Sequence, residues 1–425
     1  MPAALKQLVD ILQILIDMIM VGMVSVHALA AVGLSMQLMM VVHLFTTLYA
    51  VGGNALIARF IGAKRKKRAS SLLYALVLFA SFLALIISFA GYFGAASFYE
   101  LMGSQAEVIQ EGERYFSILA CGFILIFLDT LFFNALSAAG DTKSSLYIKL
   151  LSAGLNAFLN YILIFGHFGF EAMGVAGAAY ATLIAYAFNL AAYSLVLRNS
   201  HAKLGLIMLV RVKDLNRVIK VGWSAALDRG ITSLSFLLFV SIIASYGTEV
   251  LAGYQVGLRI EGIAFMPGFG FAIAVMALVG QSLGAKEYER AYESGIATAR
   301  LAYVFMGSVG VALVSIPEYF IGFFTTDDRT VEAASHYLIL VGLAQIPLAL
   351  SFIYSSALRG AGATALVLKV NVASLWLLRL IPSYIAFHLG YGVLIVFVIM
   401  NVETLIKGVV FYYLYRKKSW LLTKV

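Results

Sequence analysis

Two aspartates lie within the first apolar stretch of the chain. Asp10 and Asp17 are seven residues apart, which is close to two turns of an α-helix and places both carboxyls on one face. Burial in an apolar environment penalises the charged form of a carboxylate, so Asp17 is a candidate for reversible proton uptake. A structural hydrogen bond to a neighbouring helix is the alternative for both residues, and it has more weight for Asp10.

Other polar side chains interrupt later apolar stretches. Asn156 and Asn160 are four residues apart and share a helix face, while Asp129 and Thr182 lie in the stretches on either side. A carboxyl combined with amide and hydroxyl oxygens suits a proton or Na⁺, and Asp17, Asn156 and Thr182 are the candidate sodium ligands. Residue types do not choose between the two ions. The alternative is hydrogen bonding that only holds helices together.

The composition indicates that a membrane surrounds these residues. The chain is 62% hydrophobic and 12% charged, whereas a soluble domain has roughly 25% charged residues. We therefore predict an all-α polytopic membrane protein, because apolar stretches of about 20 residues are long enough to cross a bilayer. Twelve such stretches are found: 3–24, 29–58, 69–93, 114–138, 144–166, 174–197, 221–245, 251–282, 296–321, 334–358, 366–388 and 391–415.

Short signatures recur at one constant offset along the chain. The run 62–64, Gly-Ala-Lys, returns at 284–286, and the run 139–140, Ala-Gly, returns at 361–362, so both pairs have the same separation. A constant offset indicates duplication, and in a hydrophobic chain it is typical of a transporter built from two pseudo-symmetric halves. The predicted domains are an N-lobe of six helices at 1–197, a cytoplasmic linker at 198–220 and a C-lobe of six helices at 221–425.

The basic residues predict the orientation. They cluster between spans 2 and 3, at 59–68, and between spans 6 and 7, at 198–220, whereas the connections on the other side carry mainly acids. By the positive-inside rule both termini are cytoplasmic, in a multi-pass protein of the plasma (inner) membrane. The net charge of +9 is then a topology signal and a contact with membrane lipid, with no nucleic-acid partner. The apolar run at 206–212 either lies in the membrane interface or is an ordinary solvated connection.

The polar residues of the two halves differ. At the offset that relates the repeated signatures, the counterpart of Asp17 is Phe239, so the coupling chemistry is predicted in the first half alone. The charged residues of the second half are read mainly as structural ion pairs, including Glu403 with Lys407 at i, i+4. A C-lobe polar network is predicted from Asp228, Arg259 and Glu261. A substrate cavity is predicted from Asp10, Asp17, Met36, Tyr115 and Asn156, because thioether and aromatic groups adapt to organic ligands.

These residues and their order resemble the multidrug and toxic compound extrusion (MATE) transporters. The resemblance covers nearly the whole chain. In the first half it rests on Pro2, on the Asp-Met-Ile-Met-Val-Gly run at 17–22, on the Ala-Leu-Ala-Ala-Val-Gly run at 28–33, and on the runs at 62–64, 140–143, 164–166 and 174–182. In the second half it rests on Arg-Ile-Glu at 259–261, on Met-Pro-Gly-Phe-Gly at 266–270, on Val-Gly-Gln at 279–281 and on Leu-Arg-Gly-Ala-Gly at 358–362.

The resemblance implies two six-helix lobes around a central cavity that opens alternately to the two sides. It implies an antiporter rather than an enzyme, without a cofactor, which exports cationic or amphipathic organic compounds in exchange for H⁺ or Na⁺. We expect a monomer. Asp17 corresponds to the coupling acid, and Asp129, Asn156, Asn160 and Thr182 complete the N-lobe cluster. Many members have Asp where this chain has Asn160, and predicted span 10 lacks the acid of a C-lobe sodium site, so H⁺ coupling in the N-lobe is favoured.

Three other classes of protein compete with this interpretation. A lipid-linked oligosaccharide flippase of the same superfamily would have a strongly cationic cavity, whereas the buried charges predicted in the first half are acidic. An intramembrane enzyme would need a catalytic pair or a histidine-rich metal set, and the six histidines are scattered. A receptor or channel does not predict a full-length duplication with its acids in one half.

Overall fold

The computed structural model describes residues 2–199, 204–325 and 327–423, and within these ranges the chain is helical, without strands. Its α-helices are α1 Pro2–Gly22, α2 Val26–Gly62, α3 Lys66–Leu101, α4 Ala106–Cys121, α5 Phe123–Ala138, α6 Thr142–Phe165, α7 Val175–Asn199, α8 Val212–Ala244, α9 Thr248–Gly284, α10 Tyr288–Ser315, α11 Pro317–Ile321, α12 Asp328–Leu343, α13 Gln345–Gly360, α14 Thr364–Ala373, α15 Ile381–His388 and α16 Val393–Arg416. A π-helical segment, Ser374–Leu380, joins α14 to α15, and a 3₁₀ helix, Ser419–Leu422, follows α16.

Most of the predicted spans are single helices. In the described part of the chain, nine helices are long and apolar enough to cross a membrane, and two bent helix pairs satisfy the same test when each is taken as one span. Helix α1 has 21 residues and is not among the nine, since Lys6, Asp10 and Asp17 interrupt its apolar sequence. The molecule is a multi-pass membrane protein made of helices.

The chain divides into two compact units, a first unit Pro2–Gly222 and a second unit Trp223–Val425. Their helices repeat the offset seen in the sequence: it relates both ends of α2 to those of α9, and likewise α4 to α12 and α5 to α13. The turns repeat as well. Lys64 and Lys286 both adopt positive φ, at 58° and 64°, and Gly140 and Gly362 do so at 86° and 80°. Residues other than glycine rarely adopt this backbone conformation, so the duplication extends to the geometry of the turns.

Predicted spans 4 and 10 are bent rather than continuous. Helices α4 and α5 meet at 56° across Gly122, and α12 and α13 meet at 57° across Ala344, which is the counterpart of Gly122 in the second half. Both spans begin earlier than predicted, at Ala106 and Asp328. At Gly122 an added Cβ would lie 2.2 Å from the Leu183 side chain, so glycine permits α7 to pack into this bend. Cys121, whose position in an apolar span predicts burial, is exposed beside the bend.

Proline changes two further spans of the second unit. Predicted span 9 breaks at Ile316, and Pro317 begins α11, because proline fits the first turn of a helix. Predicted span 11 passes through the π-helical segment just before Pro382. Proline lacks an amide hydrogen and its ring clashes with the carbonyl four residues earlier, and the wider π turn accommodates it.

The described part of the predicted linker is bound to the first unit. Arg68 on α3 forms a bidentate ion pair with Asp214, at 2.9 and 2.7 Å, and Ser71 Oγ donates to the Leu209 carbonyl at 2.5 Å. These hydrogen bonds from Arg68 lower the pKa of the Asp214 carboxyl, which lies before predicted span 7. Helix α8 begins at Val212, inside the predicted linker, and residues 200–203 lie outside the described ranges. Met208, in the apolar run at 206–212 of this linker, is 85% exposed.

Candidate functional site

The seam between α1 and α6 brings Asp17 and Asn160 together. Asn160 Nδ2 donates to Asp17 Oδ1 at 2.5 Å, although the two residues are 143 positions apart in the chain. Asn160 is fully buried and Asp17 is half-buried. The arrangement pairs a carboxyl with an uncharged amide rather than with a basic side chain, so proton binding at Asp17 requires no ion pair to break.

Asn156 lies one turn before Asn160 and differs from it. Asn156 has 0% exposure, and within the described ranges neither its Nδ2 nor its Oδ1 has a hydrogen-bond partner. A buried amide without partners is costly, so its position next to the Asp17–Asn160 pair makes Asn156 a candidate binding group. Thr182 on α7 is half-buried, and in the described part of the chain its hydroxyl is not hydrogen-bonded to Asp17 or to either asparagine.

A buried lysine that the sequence analysis did not identify lies at the other end of this seam. Lys149 Nζ is 2.9 Å from Asp10 Oδ1 and 2.6 Å from Gln13 Oε1, and Lys6 Nζ is 2.8 Å from Asp10 Oδ2. Both oxygens of Asp10, a predicted cavity residue, are therefore ion-paired. The expectation that the buried charges of this half are acidic is wrong, because Lys149 is 8% exposed. Its seven-residue spacing from Asn156 was the available signal.

Asp129 on α5 belongs to the cluster around this lysine. Its carboxyl hydrogen-bonds to the Asn189 side chain and is close enough to Lys6, Lys149 and Asp10 for their charges to interact. Its Oδ1 has no partner in the described chain. The structure thus places Asp129 with Asp10 rather than in direct contact with Asp17.

Tyrosine side chains lie between the two groups of acids. The hydroxyl of Tyr186 is close enough to interact electrostatically with Asp129, Asp10 and Asp17. Tyr186 follows Thr182 by one helical turn, and this spacing was the signal for it that the sequence analysis missed. Tyr115, a predicted cavity residue, similarly lies near Asp17.

Met36 and Tyr115 both pack at the rim of a small apolar cluster. Its buried members come from α1, α2, α6 and α7 and include Val21, only four residues beyond Asp17. Met36 and Tyr115 are therefore held by packing against this cluster. The remaining members of the cluster are Ala28, Val32, Ile164, Val175 and Ala178.

A glycine sets the approach of α7 to α6. A Cβ added at Gly177 would lie 2.5 Å from the Leu163 carbonyl group, so only glycine allows this contact. The contact fixes the height of α7 beside Asn160 and confirms that the small-residue run at 174–179 is a helix-packing surface.

The second unit contains a separate buried polar network. Asp228 on α8 accepts hydrogen bonds from Arg359 at 2.6 Å and from Asn371 at 2.8 Å. Lys407 on α16 is close enough to Asp228 for their charges to interact. The Lys407 ammonium lies 3.0 Å from Glu403, which confirms the predicted i, i+4 ion pair.

Arg379 extends this network towards Glu261. Its guanidinium lies 2.5 Å from Glu403, whose side chain is fully buried, and it is close enough to Glu261 to interact with it. Glu261 in turn accepts a hydrogen bond from Tyr337. Asp228 and Glu261 thus share one network, but Arg379 supplies the cation between them, whereas the predicted Arg259 is exposed. Acids and bases balance here, as expected of structural ion pairs.

Known proteins match both the sequence and the fold. The family model MatE matches residues 2–162 and again residues 225–385, one match in each half. A probable multidrug resistance protein NorM of Thermotoga maritima is 28% identical over 395 residues, covering 92% of this chain and 85% of the relative.

Two solved structures share the fold. A Vibrio cholerae MATE transporter, VcmN, in its bent form has a TM-score of 0.91 at 20% identity, covering 98% of this chain and 94% of its own. A MOP superfamily transporter from Pyrococcus furiosus, described as having a binding pocket of reverse polarity, has a TM-score of 0.87 at 21% identity, covering 100% and 95%. With the family model matched in both halves, the chain belongs to the MatE family, the multidrug and toxic compound extrusion proteins, whose members are secondary transporters and not enzymes.

Proposed function

We propose that the protein is a multidrug exporter that exchanges cationic or amphipathic organic compounds for protons, with Asp17 as the coupling carboxyl. The observation that carries this proposal is the Asp17–Asn160 hydrogen bond, one helical turn from Asn156, whose amide has no partner in the described part of the chain. A carboxyl held by a neutral amide can gain or lose a proton without breaking an ion pair. The name of the Thermotoga maritima relative, a probable multidrug resistance protein, supports the substrate class.

The charges of the first unit favour a positively charged substrate. Asp10, Asp17 and Asp129 contribute three carboxyls, and Lys6 and Lys149 contribute two ammonium groups, so the ionised cluster carries a net charge of −1. One proton brings it to zero. A cluster with this balance attracts an organic cation when deprotonated and releases it when protonated, whereas a lipid-linked oligosaccharide flippase calls for an excess of cations.

The proposed cycle follows from this change of charge. In the outward-facing state Asp17 takes up a proton, the attraction for the bound cation disappears, and the compound leaves. In the inward-facing state Asp17 releases the proton to the more alkaline cytoplasm, and the negative cluster is restored. Asn156, Asn160 and Thr182 are assigned to binding around Asp17, Asp129 is assigned to the coupling cluster through its place beside Asp10, and Met36 and Tyr115 are assigned to the cavity wall. Na⁺ is the second candidate ion, and its ligands would be Asp17, Asn156 and Thr182.

The arrangement in the cell is part of the same proposal. We place the protein in the plasma (inner) membrane as a monomer with both termini cytoplasmic, because basic residues cluster at 59–68 and 198–220. An N-lobe at 1–197, a cytoplasmic linker at 198–220 and a C-lobe at 221–425 belong to the same proposal, with α8 beginning inside the linker at Val212.

Transport in proteoliposomes tests the coupling ion and the role of Asp17. A pH gradient and a sodium gradient are imposed separately, and export of ethidium is followed together with proton movement. We expect the pH gradient to drive export in the wild type. Asp17→Asn preserves the side-chain shape but cannot bind a proton, so drug-driven proton movement should fall to the level of empty liposomes.

A matched control removes an acid elsewhere. Glu107 is exposed near the start of α4, and Glu107→Gln should leave exchange unchanged. Undiminished proton exchange in Asp17→Asn would remove Asp17 from the mechanism. Export driven only by the sodium gradient would replace H⁺ by Na⁺ as the coupling ion.

A further inference from the structure

Lys149 places a fixed positive charge in the seam that contains Asp17. Its side chain is 10% exposed and is bonded to Asp10 and Gln13. Asp10 is also paired with Lys6, so two ammonium groups share one carboxylate. The triad of Lys6, Asp10 and Lys149 therefore has a net charge of +1.

The triad and the Asp17–Asn160 pair lie along the same seam between α1 and α6. Asp10, Gln13 and Asp17 are three and four residues apart on α1, and Lys149, Asn156 and Asn160 are seven and four residues apart on α6. Each set follows one helix face. Two contacts join the faces: Lys149 binds Asp10 and Gln13 in the first half of α1, and Asn160 binds Asp17 one turn further along α1.

The positive charge of Lys149 acts on the Asp17 carboxyl. Asp10 and Asp17 are separated by seven residues, or about 10 Å along a helix, and Lys149 lies close enough to Asp17 to act on its carboxyl. Two like charges about 10 Å apart at an effective dielectric constant of about 20 weaken cation binding by roughly tenfold. Other charged or titratable groups facing this region are Lys6 and Asp10 on α1, Asp129 on α5, Tyr115 on α4 and Tyr186 on α7.

We propose that Lys149 determines the ion specificity of this site by excluding Na⁺ from Asp17. The same electrostatic penalty applies to a proton and to Na⁺, but its consequences differ. A proton forms a covalent O–H bond with the carboxyl. Na⁺ must exchange its hydration shell for a few protein oxygens, so it binds weakly to begin with, and a further loss of roughly tenfold lowers its occupancy by nearly the same factor where the site is far from saturated. This inference rests on the proposed function for its setting, since it explains why that site uses H⁺.

The test is a gain of sodium binding on removal of the charge. In Lys149→Met, Asp10 keeps Lys6 as its ion-pair partner, so no carboxylate loses its last cation. We expect the purified variant to bind radioactive sodium at least roughly tenfold more tightly than the wild type, by the Coulomb factor above. In proteoliposomes its export should respond to a sodium gradient, whereas wild-type export does not.

Two variants on the same helix separate charge from structure. Lys149→Arg keeps the charge and should remain insensitive to sodium. Lys143→Met removes an exposed lysine of α6 and should also behave as the wild type. If Lys149→Met does not fold, Lys149→Gln removes the same charge and keeps a polar side chain within reach of Asp10 and Gln13, and the same gain in sodium binding is expected.

The outcomes also distinguish this inference from the proposed function. Unchanged sodium affinity in both Lys149→Met and Lys149→Gln, whether or not the wild type exchanges protons, overturns the role of Lys149. Tight sodium binding by the wild type overturns it as well. Loss of proton exchange in the wild type, with sodium binding gained in Lys149→Met, contradicts the proposed function and supports the role of Lys149.

Discussion

Asn156 and Asn160 are both fully buried on α6, and replacing each by leucine should change stability in opposite directions. Asn160 donates a 2.5 Å hydrogen bond to Asp17, whereas the amide of Asn156 has no partner within the described ranges. Leucine has the same branched arrangement of side-chain heavy atoms as asparagine, with a somewhat larger volume, and removes the polar atoms. The comparison therefore isolates what each amide contributes to the folded protein.

The magnitudes follow from burial and pairing. An unpaired buried amide costs about 1–3 kcal/mol, so Asn156→Leu should stabilise the protein by an amount in this range. A hydrogen bond to a charged group contributes about 1.5–3 kcal/mol, so Asn160→Leu should destabilise it by at least that much, because Asp17 loses its amide partner. Unfolding in mixed detergent micelles measures both changes in the free energy of unfolding.

Transport gives the second half of this prediction. If Asn156 binds the ion or the substrate, Asn156→Leu should reduce exchange by at least roughly tenfold, the factor equivalent to about 1.4 kcal/mol, in a protein that is more stable than the wild type. The reasoning is refuted if Asn156→Leu is destabilised to the same extent as Asn160→Leu. In that case both asparagines only hold helices together.

Two further predictions concern the packing and pH dependence of the first unit. Gly177→Ala should cost about 1–3 kcal/mol through overlap with Leu163. Gly154→Ala, at an exposed position of α6 where an added Cβ meets nothing within 4 Å, should be neutral or stabilising by up to about 1 kcal/mol. Thermal unfolding of both variants checks this, and equal effects would contradict it. Hydrogen bonds from Arg68 lower the pKa of the Asp214 carboxyl. The stabilisation that the ionised Asp214 gives the folded protein is therefore complete above the ordinary carboxyl pKa of about 3.9. It is lost as the pH falls through the lowered pKa of the folded state. Acid unfolding of Asp214→Asn should therefore lack this part of the wild-type pH dependence, and identical acid profiles would exclude the contribution.

Much of the fold could be predicted from local sequence. The duplicated turns at Lys64 and Lys286 carry the same residues and adopt the same positive φ, since a turn depends on neighbouring positions. The bends at Gly122 and Ala344 escaped prediction, because hydropathy averages over a span and does not register where the backbone changes direction. The π-helical segment before Pro382 was missed for the same reason.

The candidate site divides along similar lines. Asp17, Asn156 and Asn160 could be predicted because polar side chains are conspicuous in apolar stretches. Lys149 could not be predicted in its role, since near the start of a span a lysine usually reaches the polar interface, and only the packing of α6 against α1 places it on Asp10. In the second unit, the sequence did not select Arg379 over Arg259 as the partner of the buried acids, because both lie in apolar helices and differ only in the side of the helix that is covered.

The sequence by itself determined the membrane setting, the duplication and the types of polar group available, because these depend on composition, spacing and local conformation. Tertiary structure alone decided which of those groups meet. Asp17 pairs with Asn160 and Asp10 with Lys149 across the seam between α1 and α6, and among the residues that the structure describes the Asn156 amide has no hydrogen-bond partner. These pairings depend on the rotation and height of two helices far apart in the chain. A spacing of about 3.6 residues defines a helix face, but only packing determines what that face contacts.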